Sequence, residues 1–107
     1  SPMSTFDDRE HAFEAKYALD AEMQFKAAAR RDKLVGLWAA GLMGKSEEDA
    51  KAYAADVVRE DLKHAGDEDV YEKLAADLGG LADEATIRGK MKELHLVAKD
   101  QIMKEVG

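Results

Sequence analysis

The stretch "GLMGKSEEDAKAYAADVVREDLKHAGDED", Gly41 to Asp69, contains two helix boundaries with a complete helix between them. Ser46 is followed by Glu47, Glu48 and Asp49. A hydroxyl and three carboxylates thus stand where a helix start presents free N–H groups and the positive end of its dipole. Ala50, Tyr53, Ala54, Val57, Val58 and Leu62 then recur at helical spacing, which predicts a helix over about residues 47–64. Gly66 ends it and Asp67-Glu68-Asp69 opens the next, while Gly41 is the expected C-cap of the helix before Ser46.

Working outward, Val70, Tyr71, Leu74 and Leu78 give a third helix one apolar face over about residues 68–78. Gly79-Gly80 breaks the chain again, and Asp83-Glu84 opens a fourth helix over about residues 84–105, with Ile87, Met91, Leu94, Ala98 and Ile102 at steps of three and four. Period-two alternation is not sustained anywhere, no repeat recurs, and the single proline stands at position 2. The chain of 107 residues suits one domain, 46% apolar and 36% charged. The fold class expected is all-α: a small antiparallel four-helix bundle with a protruding or disordered N-terminal segment.

A net charge of −7 argues against DNA or RNA as the partner, since phosphate recognition needs a cationic surface. Cysteine is absent, so no disulfide framework or thiolate chemistry is expected, and a cytoplasmic location is the default. No apolar run approaches the ~20 residues of a membrane span. Direct membrane insertion is not expected. Ser1-Pro2 ahead of Met3 reads as a cloning remnant.

The first helix fits its partners poorly. From Thr5 to Leu42 there is no proline and no glycine before Gly36, which permits a helix of up to ~57 Å, against ~27 Å for the second. Roughly the first 15 residues should therefore overhang. Met23, Ala27, Leu34, Trp38 and Gly41, with Leu37 beside them, form the face assigned to the core. Phe6, Phe13 and Tyr17 align on a second face roughly 90° away. Either these rings fold back on the bundle or they are anchors for a groove on another protein, set among Asp7, Asp8, Arg9, Glu10, Glu14 and Lys16.

Chemistry finds little support. "AAGLMGKS", Ala39 to Ser46, ends like a phosphate-binding loop, but Ala39 stands in place of its first glycine and a helix rather than a strand precedes it. At most a weak adenine nucleotide contact is expected there, and no cofactor otherwise. Asp8-x-x-His11 and Asp61-x-x-His64 have the spacing of di-metal bundles without the two further inward glutamates such sites need. No metal site is expected. His95, at the edge of the fourth helix's apolar face, is read as partly buried and hydrogen-bonded. His11 lies among Asp7, Asp8, Glu10 and Glu14, which favour its protonated form. No Ser/His/Asp grouping or carboxylate pair in a cleft is evident, so the chain is expected not to be an enzyme.

Phe6-Asp7-Asp8-Arg9-Glu10, Phe13-Glu14-Ala15-Lys16, Gly36-Leu37-Trp38-Ala39-Ala40 and Gly66-Asp67-Glu68-Asp69-Val70, in that order, resemble the zeta subunit family of alphaproteobacterial F-type ATP synthases, from Met3 to about Ile102. The resemblance implies a natural inhibitor, partnered with the α, β and γ subunits of F1, whose N-terminal segment becomes helical in a catalytic interface between an α and a β subunit and blocks ATP hydrolysis. It implies a division into an inhibitory segment, residues 1–18, and a bundle, residues 19–107. The partner-contacting residues would be Thr5, Phe6, Asp7, Asp8, Arg9, Glu10, Phe13, Glu14, Lys16 and Tyr17. The location would be cytoplasmic, peripheral at the inner membrane through F1. The linker "GLMGKSEEDA" and the end "QIMKEVG" depart from the family pattern. The alternative is a helical adaptor that uses the same acidic amphipathic segment on another partner.

Overall fold

The computed structural model describes residues 20–64 and 66–106. Among these it contains four α-helices and no strand: α1 (Asp20–Leu42), α2 (Glu47–Lys63), α3 (Glu68–Leu78) and α4 (Glu84–Val106), with a 3₁₀ turn at Gly79–Leu81 before α4. The expected bundle is present, and the limits of α2, α3 and α4 lie within a residue of those read from the sequence, while the expected start of the first helix at Thr5 lies outside the described residues.

Two of the three expected start signals work as side-chain caps. Ser46 is extended (φ −64°, ψ 165°), and its Oγ accepts a hydrogen bond from the Asp49 N–H at 3.1 Å. Asp83 Oδ1 accepts from the Thr86 N–H at 2.8 Å. Each satisfies a donor that the helix itself leaves free. Asp67 makes no such bond, because its carboxylate is drawn across the bundle to Arg31 at 2.9 Å.

The end of α1 also differs from the expectation. Gly41 lies within its last turn, and the left-handed residue is Gly44, at φ +72°. The Lys45 N–H reaches the Ala40 carbonyl at 3.0 Å and the Gly44 N–H reaches the Gly41 carbonyl at 3.1 Å, the paired bonds of a Schellman ending. The helix therefore outlasts its first available glycine. Its backbone turns only where an Ala40–Leu42 run has ended and glycine can take positive φ without a Cβ clash.

α1 is the hub. It packs most extensively on α2 and α4, which flank it, while the shorter α3 closes the far side against all three. Val35, Ala39, Ala40, Tyr53, Val57, Val70, Leu74, Leu78, Ile87 and Met91 form the core. The face assigned to the core from the sequence is therefore corrected. Ala27 is buried, but Met23, Leu34, Leu37 and Trp38 are only half-buried and Gly41 is exposed. A helix covered on two flanks needs a wider buried arc, and this one runs through Ala27, Arg31, Asp32, Val35, Gly36, Ala39 and Ala40. Small residues let the neighbours come close, and the bulky apolar side chains sit on the rim of that arc.

Gly36 marks the closest approach. A Cβ there would fall 2.6 Å from the Ala54 Cα and 3.3 Å from Val57 Cγ2, so the α1–α2 crossing needs a residue without a side chain.

Candidate functional site

Thr5, Phe6, Asp7, Asp8, Arg9, Glu10, Phe13, Glu14, Lys16 and Tyr17 lie outside the described residues, as do His11 and Asp8 of the first carboxylate-x-x-His pair. The structure describes the platform to which that segment is joined, starting at Asp20. Phe25, the third phenylalanine, lies on α1 and is 60% exposed, so it is not a core residue.

At the start of the platform α1 and α4 run side by side. Met23, Gln24 and Ala27 enclose a small hollow of about 40 Å³ with His95, Lys99, Ile102 and Met103. The pair is tied by long side chains: Arg30 donates to Gln101 Oε1 at 2.8 Å and to Glu105 Oε2 at 3.0 Å. The Glu105 bond first of all raises the Arg30 pKa, and Arg30 in turn holds Glu105 below the usual carboxylate range.

Further along α1 is a buried polar cluster that the sequence reading did not assemble. Arg31 is 3% exposed and Asp32 is fully buried. Arg31 Nε donates to Asp32 Oδ1 at 2.9 Å, and its NH2 group donates to Asp67 Oδ1 at 2.9 Å, with Asp61 Oδ2 at 3.7 Å. Burial works against the Arg31 charge, but the bond to Asp67 and the fields of Asp32 and Asp67 outweigh it. Asp67 is held below the usual carboxylate range by its bond to Arg31. Asp32 behaves oppositely. Burial, reinforced by the neighbouring Asp61 carboxyl, pushes its carboxyl up to about 8 against the pull of Arg31. Arg31 and Asp32 are therefore not an ordinary ion pair: the guanidinium stays charged through Asp67, and Asp32 is favoured in its neutral form.

His95 adjoins this cluster and, with Arg31, Asp67, Arg88, Met91 and Lys92, lines an open cleft of about 270 Å³. Its Nδ1 is buried without a partner, contrary to the hydrogen-bonded role expected for it. Burial first, then Arg31 and Lys99, lower its pKa, so the ring is neutral at pH 7. Both arginines of the cleft are already engaged, Arg31 with Asp32 and Asp67. Arg88 donates to Glu68 at 3.0 and 3.2 Å and to Glu84 at 3.1 Å, and its guanidinium lies 3.8 Å from the Tyr71 ring centroid.

The remaining candidates resolve into structure. The Ala39–Ser46 stretch is the Schellman ending of α1 running into the Ser46 cap. His64 is exposed and stands 3.8 Å from Asp69. Among the described residues no group of three or more His, Cys, Asp or Glu could hold a metal ion. Tyr53 donates its hydroxyl to Asp77 at 2.8 Å, and Lys73 reaches the same oxygen at 3.0 Å, a pin between α2 and α3. Nothing in these arrangements sets a nucleophile against a base.

The comparisons with known proteins agree with a regulatory role. A protein solved in solution by NMR is 54% identical to this chain and superposes with a TM-score of 0.72, over 78% of this chain and 98% of that one. The family model described as ATPase inhibitor subunit zeta matches residues 3–101. The chain belongs to this family. No curated protein matches it. The zeta match takes in both the segment before Asp20 and nearly the whole bundle. The family role is that of an ATPase inhibitor subunit, which implies ATP synthase as the partner and a regulatory task for the chain. No helix among the described residues is long and apolar enough to cross a membrane.

The charged cluster was the feature sequence reasoning missed. Its signal was present: Arg30-Arg31-Asp32-Lys33 interrupts a helix that is apolar on either side, from Ala27-Ala28-Ala29 to Leu34-Val35. Such an interruption marks either a rim or a buried pair, and periodicity alone does not distinguish the two.

Proposed function

We propose that residues 3–18 fold as a helix into a catalytic interface between the α and β subunits of the F1 sector, close to γ, and so arrest ATP hydrolysis, while residues 19–107 position and support them. The observation that carries this reading is the zeta-family match from residue 3, which places the acidic aromatic segment within the inhibitor family's own pattern. A wedge of this kind needs no chemistry and no cofactor of its own. It inhibits by preferring one conformational state of the interface over the others.

Phe6, Phe13 and Tyr17 supply the apolar anchors, and Thr5, Asp7, Asp8, Arg9, Glu10, Glu14 and Lys16 the polar contacts. Ordering ~15 residues opposes binding by roughly 1–2 kcal/mol each for the backbone, so buried rings and new helix hydrogen bonds must offset it. α1 already begins at Asp20, and a helix nucleated on its first turn avoids the unfavourable initiation step. Through F1 the protein would sit on the cytoplasmic face of the inner membrane.

The test is ATP hydrolysis by the matching F1 in the presence of the full chain, of a version starting at Ala21, and of the 1–20 peptide. The full chain inhibits, the truncated one does not, and the peptide inhibits only at higher concentration. Inhibition by the version starting at Ala21 would transfer the activity to the bundle and overturn the assignment.

A further inference from the structure

We propose that Asp32 and Asp61 hold one proton between them, and that this proton fastens α1 to the last turns of α2, making the seating of the α2–α3 corner on α1 sensitive to pH. The reasoning starts from charge counting. One guanidinium, Arg31, faces three carboxyl groups: Asp32 on α1, Asp61 on α2 and Asp67 in the corner. From α4 the cluster is approached by His95, with Lys99 behind it, and α3 contributes Val70 and Leu74 to the neighbouring core. His95 is neutral at pH 7, so it does not balance the excess of negative charge.

Geometry then decides where that excess is relieved. Asp67 is largely exposed and takes the direct bond from Arg31, so it stays ionised. Asp32 is fully buried, and its Oδ2 has no donor. A buried ionised oxygen without a donor is strongly disfavoured. The carboxyl of Asp61 faces the same guanidinium, 3.7 Å from Arg31 Nη2 where Asp32 lies 2.9 Å from Arg31 Nε, and two ionised carboxylates repel. The two share a hydrogen bond only when one of them carries a proton. That proton belongs on Asp32, the more deeply buried of the two, with Asp61 as the acceptor on a side chain 16% exposed.

The direction of the pH effect follows. In the unfolded chain Asp32 loses its proton near pH ~4. In the folded chain it keeps the proton up to about 8. Between those values the native state binds one proton more than the unfolded state, so this contribution is complete below pH ~4 and is lost as pH rises towards 8. The Arg31–Asp67 bond has the opposite dependence, being lost as pH falls below the usual carboxylate range. The two together place maximal stability in mild acid. This inference concerns the bundle alone and stands or falls apart from the inhibitory reading.

The experiment is a carboxyl ¹³C NMR titration of the full chain labelled at aspartate, with urea unfolding across the same pH range. In the wild type the Asp32 carbon is expected to keep its protonated position at pH 6 and to titrate near pH 8. The folding constant should fall by up to about tenfold per pH unit across the window. Asp32→Asn removes the proton and should flatten that slope. Asp61→Asn, whose amide can donate to Asp32, should move the Asp32 titration to lower pH. An ionised Asp32 at pH 6, an Asp32→Asn slope equal to that of the wild type, or an Asp32 titration unmoved by Asp61→Asn would each overturn the proposal. If Asp32→Asn does not fold, the wild-type titration and the Asp61→Asn shift decide it.

Discussion

The two flanks of α1 are built differently. Against α2 the helix presents Gly36 to the backbone of Ala54, and the two main chains nearly touch. Against the end of α4 it presents Met23 and Ala27 to Ile102 and Met103 around a small hollow, held from outside by the long reach of Arg30 to Gln101 and Glu105. The first contact has one solution, because backbone atoms cannot move aside independently. The second is made of flexible side chains with several rotamers each, and it adapts. The looser flank is the one next to Asp20, where the segment proposed to inhibit would join.

The severest way to break this contrast is to fill the tight crossing. Gly36→Val places branched atoms where a single Cβ is already 2.6 Å from the Ala54 Cα. The variant should lose about 3 kcal/mol, the upper part of the range for overpacking, read as a lowered urea midpoint with an unchanged slope. Even Gly36→Ala should destabilise, although the same change in an open helix gains about 1 kcal/mol. A Gly36→Ala protein as stable as the wild type would mean that α2 can slide, and the difference between the flanks would vanish.

A smaller effect sharpens the comparison from the start of α2. Ser46→Ala removes the oxygen that accepts the Asp49 N–H and should cost about 1 kcal/mol. Because α2 is seated on α1 through backbone proximity, fraying of its first turn should be felt by amide exchange at Ala50 and Tyr53 and not near Ile102. Equal loss of protection at both places would show that the flanks unfold as one unit.

What the sequence disclosed and what it hid follow the same division. Ser46, Gly66, Gly79 and Asp83 fixed the helix limits because capping chemistry is local, and a residue needs only its next three neighbours to do it. The faces of α3 and α4 were legible because each is covered mainly on one side by large apolar residues; that of α2 was legible through Tyr53, Ala54 and Val57, whereas Leu62, read onto the same face, is 59% exposed at the helix end. α1 was misread for the converse reason: its buried arc is made of Ala, Gly, Arg and Asp, which score as surface, while Leu34, Leu37 and Trp38 on its rim score as core. Asp67 was read as a cap, correctly placed, but its carboxylate answers Arg31, a partner 36 residues away. Asp32 and Asp61, on two different helices, face the same Arg31 guanidinium, and no local rule announces that meeting. The expected partner-contacting residues lie before Asp20, where the resemblance of "TFDDREHAFEAKY" to the zeta pattern, and not packing, carries their assignment.

The smallest effect probes the loose flank. Ala27 is 2% exposed and borders the hollow of about 40 Å³ shared with Ile102 and Met103. Ala27→Val adds two methyl groups where there is room and where Met23 and Met103 can re-pack at little cost. The transfer gain and the lower helix propensity of valine nearly cancel, so stability should change by less than about 0.5 kcal/mol in either direction. A valine that disrupts the crossing at Gly36 is thus absorbed at Ala27, about two and a half turns earlier on the same helix. A loss at Ala27 comparable to that at Gly36 would mean the hollow is as closely fitted as the crossing, and the N-terminal end of α1 would then be a rigid extension of the core instead of an adjustable mount for the segment before it.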